Sequence, residues 1–312
     1  MKVLPLRLRT VTRTQGNNAA LKDGTVAPRD FAFEFEEVDP LIRAFRLMVR
    51  EEAFDVCELA ITTYLCAKEH GKRFTALPIF LVRGFHHGAI VSAGTRDPKE
   101  LEGQKVGVNR GYTVTTGVWA RGVLADEYGV DLDRVTWVLS GDEHVAEYRP
   151  PPNVVSLEPG RELEQLVREG ELAAAIGIDG NGLTPLIPDP EEAGFDALRR
   201  RGHYPINHLV VVKDELLDAH PDLAVRVFEA FAEAKNLYVE RLRRGAIEQP
   251  TATDRMYERV LELTGGDPLP YGIEPNRETI DRLIDYAVRQ KILTRRPDVE
   301  SLFAPGTRDL AA

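Results

Sequence analysis

Arg83, His86 and His87 fall close together in the apolar stretch ALPIFLVRGFHHGAIVSAG, which runs from Ala76 to Gly94. A guanidinium inside an apolar strand pattern is costly to bury unless an anion or carboxylate pairs with it. Arg83 therefore reads as the partner of a bound anion, as half of a structural salt bridge, or as an exposed strand end. Imidazoles exchange protons near neutral pH. Neighbouring histidines on a strand face opposite ways, so His86 and His87 do not share a metal; one can face a ligand while the other packs. A second segment, LEGQKVGVNRGYTVTTGVWARGVL, runs from a strand at Lys105–Val108 through the turn Asn109–Thr116 into a helix. Thr115 or Thr116 can cap that helix, either as a cap alone or leaving N–H groups and a positive dipole end for a carboxylate. The turn is neither a Walker loop nor a GxGxxG fingerprint. His208 follows Tyr204-Pro205-Ile206-Asn207, where it reads as a proton-exchanging group or as a buried, hydrogen-bonded histidine. Glu58 ends the strand pattern FDVCE, where it can orient a histidine, accept a phenolic proton, or cap the next helix. These groups suit a small anion with ionisable protons.

The elements that position them alternate between strand and helix. Val3–Arg9 predicts a strand, Gln15–Asn18 a polar turn, Asp23-Gly24 another turn, and FAFEFEEV a second strand. Asp39-Pro40 opens a helix through Met48, FDVCELA predicts a short buried strand, and ITTYLCAKEH the helix after it. Further on, VTWVL, AAAIGI and HLVVV predict strands, and RELEQLVREGEL a helix. HPDLAVRVFEAFAEAKNLYVERLRRG and PNRETIDRLIDYAVRQ carry helical patterns. Such alternation predicts an α/β fold of two doubly wound lobes joined by two hinge strands, with a central cleft. The crossings near Val91 and His208 divide the chain into residues 1–91 plus 209–312 and residues 92–208.

At 312 residues, 43% hydrophobic and 29% charged, the chain has room for two ordinary domains. Its net charge of −10, with no long basic block, argues against nucleic-acid binding. No apolar run approaches a membrane span. Arg7, Arg9 and Arg13 interrupt what would be the apolar core of a signal peptide, and Cys57 and Cys66 are the only cysteines. Both features predict a cytoplasmic protein. No His/Asp/Glu pair has a persuasive chelating spacing, and no GxSxG nucleophile motif is present. Assembly into a homo-oligomer is left open.

FDVCELAITTYL, ALPIFLVRGFHH, ELEGQKVGVNRGYTVTTGVWARGVLADEYGV, YPINHLVVV and GGDPLPYGIEPNRETIDRL together resemble the 4,5-dihydroxyphthalate decarboxylases, which look like type 2 periplasmic binding proteins turned to catalysis. The resemblance spans about residues 50 to 305. It implies loss of one ring carboxylate as CO2, giving protocatechuate, from a small anionic aromatic substrate. One base, one acid and a clamp for the other carboxylate suffice; no organic electron sink is obligatory, although a divalent metal could assist the catechol. On this reading Arg83 and the Thr115/Thr116 helix end bind carboxylate. His87 or His208 donates the proton, and the other, helped by Glu58, is the phenol base. His86, Asn109 and Tyr112 complete the expected pocket. Gln15-Gly16-Asn17-Asn18 stands where the family tends to have a Tyr-Asp-containing stretch facing the ligand, which makes Asn17 and Asn18 expected substrate contacts. The alternative is a non-enzymatic solute-binding protein that delivers an aromatic or other small carboxylate to a transporter.

Overall fold

Runs of β-branched and aromatic residues bounded by turn formers build two sheets, each confined to one of two units of the chain. The computed structural model describes residues 5–94 and 96–312, so the expected strand Val3–Arg9 begins outside the described residues. One unit holds the chain up to Arg83, Ile206–Ile280 and Pro297–Ala312; the other holds Gly84–Pro205 and Asp281–Arg296. Strands β1 (Leu6–Val11), β2 (Phe31–Phe35), β3 (Val56–Ala60) and β4 (Phe74–Arg83) lie in the first unit. The second contains β5 (Ile90–Ser92), β6 (Lys105–Val108), β7 (Thr136–Leu139), β8 (Val154–Ser156), β9 (Ala174–Ile176) and β10 (Thr184–Pro185). Strand β11 (Ile206–Lys213) returns to the first. The helices are α1 (Ala19–Lys22), α2 (Ile42–Glu51), α3 (Ile61–Glu69), α4 (Thr115–Tyr128), α5 (Leu163–Arg168), α6 (Pro190–Arg201), α7 (Asp214–Ala219), α8 (Leu223–Arg243), α9 (Ala252–Thr264) and α10 (Arg277–Arg289).

The first sheet has the order β2-β1-β3-β11-β4. Strands β1, β2 and β3 pair in parallel, and β11 runs antiparallel between β3 and β4. Its core packs Leu8, Val56, Leu77, Ile79, Leu81, Val210 and Val212 against the α8 face of Val227, Phe228 and Phe231. Each such side chain contributes roughly 1.5–3 kcal/mol of hydrophobic stabilisation when fully buried. The second sheet, β10-β5-β9-β6-β7-β8, is parallel through β9, β6, β7 and β8 and antiparallel at β5 and β10. Leu163, Leu166 and Val167 of α5 pack on Val138 and Ala175 there.

Two expectations change. The lobe boundaries expected at Val91 and His208 fall at Arg83/Gly84 and Pro205/Ile206, and Asp281–Arg296 joins the second unit. The apolar run from Ala76 is also not one strand: β4 ends at Arg83, and His87–Ala89 forms a short 3-10 turn before β5. His86 and His87 therefore do not alternate across a sheet. Helices α6 and α9 lie in stretches where no helix was predicted.

Candidate active site

Within the first unit, strand β3 places Glu58 in the interior, and its side chain is 0% exposed. A buried carboxylate needs hydrogen-bond donors, and two converge on this one. The backbone N–H of Arg13 donates to Oε2 at 2.8 Å, and His208 Nδ1 lies 2.6 Å from Oε1. Because a carboxylate only accepts, Nδ1 carries the proton that fills this bond. Nε2 is left as the nitrogen through which a proton can enter or leave. The His208 ring stands edge-on to Phe45 at 5.2 Å and keeps 19% side-chain exposure. Carboxylate and imidazole thus have the relation of an orienting acid to a proton-transfer base.

Arg83 sits beside His208 on the adjoining strand, in the register Val82↔His208 and Arg83↔Ile206, with an irregularity between Ile206 and His208. Arg83 is buried; Nη1 donates to Asn276 Oδ1 at 2.6 Å, and the Asn276 amide nitrogen donates in turn to the carbonyls of Pro270 and Gly272. The backbone N–H of Arg83 reaches the Tyr257 hydroxyl at 3.4 Å. Burial pushes the Tyr257 phenol up to about 12 despite the opposing hydrogen bond and charge of Arg83, so the hydroxyl keeps its proton.

A cavity of about 510 Å³ in the same unit is lined by Arg13, Thr14, Gln15, Gly16, Asn17, Ala19, Tyr238, Thr251, Thr253, Asp254 and Tyr257. Glu58 and Arg83 each contact this lining through one hydrogen bond, to Arg13 and Tyr257 respectively. Asn17 is buried; its amide nitrogen donates to Leu81 O at 2.9 Å, and its Oδ1 has no partner. Asn18, expected to touch substrate, instead closes the turn. Its Oδ1 accepts the Gln15 N–H, and its Nδ2 donates to Thr12 Oγ1 and Arg13 O.

In the second unit His86, His87, Tyr112 and Thr115 are buried, whereas Asn109 and Thr116 are half-buried. His87 is 0% exposed, and its Nε2 lies 3.2 Å from both Glu127 oxygens. Burial opposes ionisation of Glu127, but the His87 hydrogen bond and the Arg201 guanidinium at 2.5 Å outweigh it and hold the carboxyl low. His86 stacks on Trp119 with ring centroids 6.4 Å apart, and burial first, then the charge of His87, lowers its pKa to about 3. His86 is thus a neutral packing residue. Tyr112 is likewise interior, with the Arg121 guanidinium 3.8 Å from its ring centroid. Asn109 joins strand ends, its Nδ2 donating to Gly177 O at 2.7 Å and its Oδ1 accepting from Ser140 Oγ at 3.3 Å.

Neither Thr115 nor Thr116 caps α4; the cap position is Val114, without a side-chain cap bond. The donors just before the helix are instead taken by the Glu143 carboxylate, which accepts from Tyr112 N, Thr113 N and Thr113 Oγ1. A Cβ at Gly111 would meet Glu143 Oε2 at 2.6 Å, so the glycine permits this approach. The carboxylate that the turn predicted from sequence is supplied by the protein itself.

Sequence reasoning passed over Arg13, Tyr257 and Asn276 around the first constellation and His203 in the second. The pattern Thr251-Ala252-Thr253-Asp254 is a capping box that announces α9, and hence places Tyr257 on a helix. His203 packs on Trp119 at 5.4 Å, and burial, then the nearby Arg282, lowers its pKa to about 2. Among the described residues no group of three or more His, Cys, Asp or Glu side chains is arranged to hold a metal ion. Nor is any described helix long and apolar enough to cross a membrane.

No protein-family model matches the chain. It is 28% identical to a 4,5-dihydroxyphthalate decarboxylase of Comamonas testosteroni over 305 residues, covering 88% of this chain and 91% of that protein. A 4,5-dihydroxyphthalate decarboxylase of Pseudomonas putida is 29% identical over 165 residues, covering 47% of this chain and 64% of that protein. Among solved structures, the alkanesulfonate-binding protein SsuA from Xanthomonas axonopodis pv. citri bound to MOPS superposes with a TM-score of 0.51 at 14% identity, covering 97% of this chain and 98% of its own. The desulfurization enzyme DSZB superposes with a TM-score of 0.52 at 12% identity, covering 97% of each chain. The aliphatic sulphonate binding protein SsuA from Escherichia coli superposes at 0.52 with 10% identity, covering 97% of this chain and 99% of its own. The structural likeness is one of fold, and the fold is periplasmic-binding-protein-like α/β. In sequence, the chain is similar to the 4,5-dihydroxyphthalate decarboxylases, as its motifs indicate.

Proposed function

We propose that this protein is a carboxy-lyase that converts 4,5-dihydroxyphthalate to protocatechuate and CO2. The activity named for its relatives supports the reading, and the observation that carries it is the buried Glu58 carboxylate 2.6 Å from His208 Nδ1. Direct loss of CO2 would strand an electron pair in the ring plane as an aryl carbanion. Each carboxylate of this substrate has a hydroxyl para to it, and loss of that phenolic proton to solvent, from which it returns to the product, raises electron density at the carbon bearing the carboxylate. A proton delivered there gives a non-aromatic intermediate. Its C–CO2 bond then breaks, and the bonding pair returns to the ring as aromaticity is restored. The net change consumes one proton and releases one CO2.

His208 carries the proton to the ring carbon through Nε2 in this reading, while Glu58 fixes the ring orientation and compensates the second proton. On this reading Arg83, buried on the adjoining strand, serves the same site as the carboxylate clamp. His87, fully buried on Glu127, takes no proton-transfer role. The test is incubation with 4,5-dihydroxyphthalate, with and without a chelator, while CO2 and protocatechuate are followed. Release of both in equal amounts is expected. Tight binding with no CO2 would overturn the enzyme reading in favour of a solute-binding protein for aromatic carboxylates. A cytoplasmic location, in keeping with two buried free cysteines, is part of the same proposal and is checked by fractionating cells.

A further inference from the structure

We propose that the cavity bounded by Arg13, Gln15, Asn17 and Tyr257 is the subsite that grips the substrate's aromatic carboxylate, with Arg13 as its specificity-determining cation. Its volume of about 510 Å³ is within the range that holds a small ring ligand. Gln15 Nε2 and Asn17 Oδ1 are buried atoms without hydrogen-bond partners, two residues apart on the same wall. Buried polar atoms are nearly always paired in folded proteins, so an occupant that accepts from Gln15 and donates to Asn17 would complete this wall. A hydroxylated benzoate does so: its carboxylate accepts, and its phenol donates. Arg13 is an exposed residue of the cavity lining whose side chain forms no ion pair with any described residue, while its own backbone N–H holds Glu58. The lining carboxylate, Asp254, is already committed to Tyr238 Oη and to Thr251 N and Oγ1. An incoming anion therefore meets an uncompensated cation and a satisfied acid.

This inference rests on the decarboxylase reading for the identity of the ring, but binding is measurable without turnover. Phthalate lacks the para hydroxyl, so it can occupy the subsite and cannot react by the route above. Calorimetric titration of phthalate and of protocatechuate into the wild type, Arg13→Ala and Gln15→Leu, with Arg7→Ala as a control for surface charge, separates the two ideas. Arg13→Ala should weaken phthalate binding by about 10- to 100-fold and raise KM for 4,5-dihydroxyphthalate more than it lowers kcat, with unchanged unfolding midpoint. Arg7→Ala, whose side chain pairs with Glu34, should bind as the wild type does. Arg13-dependent phthalate binding with no CO2 release would keep the subsite and sink the decarboxylase. Normal CO2 release with phthalate affinity and KM untouched in Arg13→Ala would sink the subsite and keep the decarboxylase. Failure of the wild type to bind either ligand at millimolar concentration also overturns the subsite.

Discussion

Glu58→Gln is the substitution that bears most directly on the proton-transfer pair. It preserves volume and removes the charge. Two donors meet the carboxylate, the Arg13 N–H at 2.8 Å and the His208 Nδ1–H at 2.6 Å, and a carboxamide has only one acceptor oxygen. The Arg13 N–H is part of the backbone and cannot turn away, so the amide oxygen should take that bond and the NH2 should face Nδ1. His208 must then move its proton to Nε2 and accept at Nδ1, the wrong tautomer for a ring that was held through Nδ1–H. A charge-assisted hydrogen bond becomes a neutral one, a loss of about 1 kcal/mol of stability. The catalytic loss is larger, because the second proton on His208 is no longer compensated: kcat should fall by ~10²–10⁴-fold with KM little changed. CO2 release gives kcat, and nitrogen-15 shifts of the His208 ring give the tautomer directly. Wild-type kcat in Glu58→Gln, or an Nδ1 that stays protonated, would refute the orienting role.

Four further substitutions, one of them read across a pH series, probe the same structure. His208→Ala should lower kcat by ~10²–10⁴-fold in a folded protein, whereas His87→Ala should act on stability, leaving Glu127 without one of its buried partners at a cost of about 1–3 kcal/mol; equal losses of kcat at intact stability would contradict this division. His86 and His203 are held at about 3 and about 2, below the ordinary 6.5, so the unfolded chain binds their protons first as pH falls. Their stabilisation is present above about pH 6.5 and is lost toward pH 3, at up to about 1.4 kcal/mol per pH unit for each. Urea midpoints measured across that window should fall less steeply for His203→Asn, and a parallel pH dependence would exclude its contribution. Gly16→Ala would bring a Cβ to 2.1 Å from the Tyr238 ring, so the ring must leave the cavity wall; about 1–3 kcal/mol of destabilisation is expected from denaturant unfolding, together with weaker phthalate binding.

The strand–helix alternation was legible because it depends on local periodicity. β6 coincides with the predicted Lys105–Val108 strand, and Ile61–Glu69 forms the predicted helix after β3. Glu58 and His208 were legible as types at strand positions, but the 150 residues between them hide their hydrogen bond. What failed was inference from a motif to its occupant. The turn Asn109–Thr116 does present donors to a carboxylate, and sequence cannot tell that Glu143, some thirty residues on, supplies it. The His86-His87 pair failed differently: chain geometry changes after Arg83, so strand alternation no longer decides which ring faces outward. Arg13 had no signal at all, being one of several arginines near β1. Its two contributions come from different atoms, the backbone N–H that holds Glu58 and the side-chain cation proposed to meet the ligand at the cavity it lines. Truncation at Arg13 therefore removes the cation while leaving the Glu58–His208 pair in place, which is why binding and proton transfer can be tested apart in this chain.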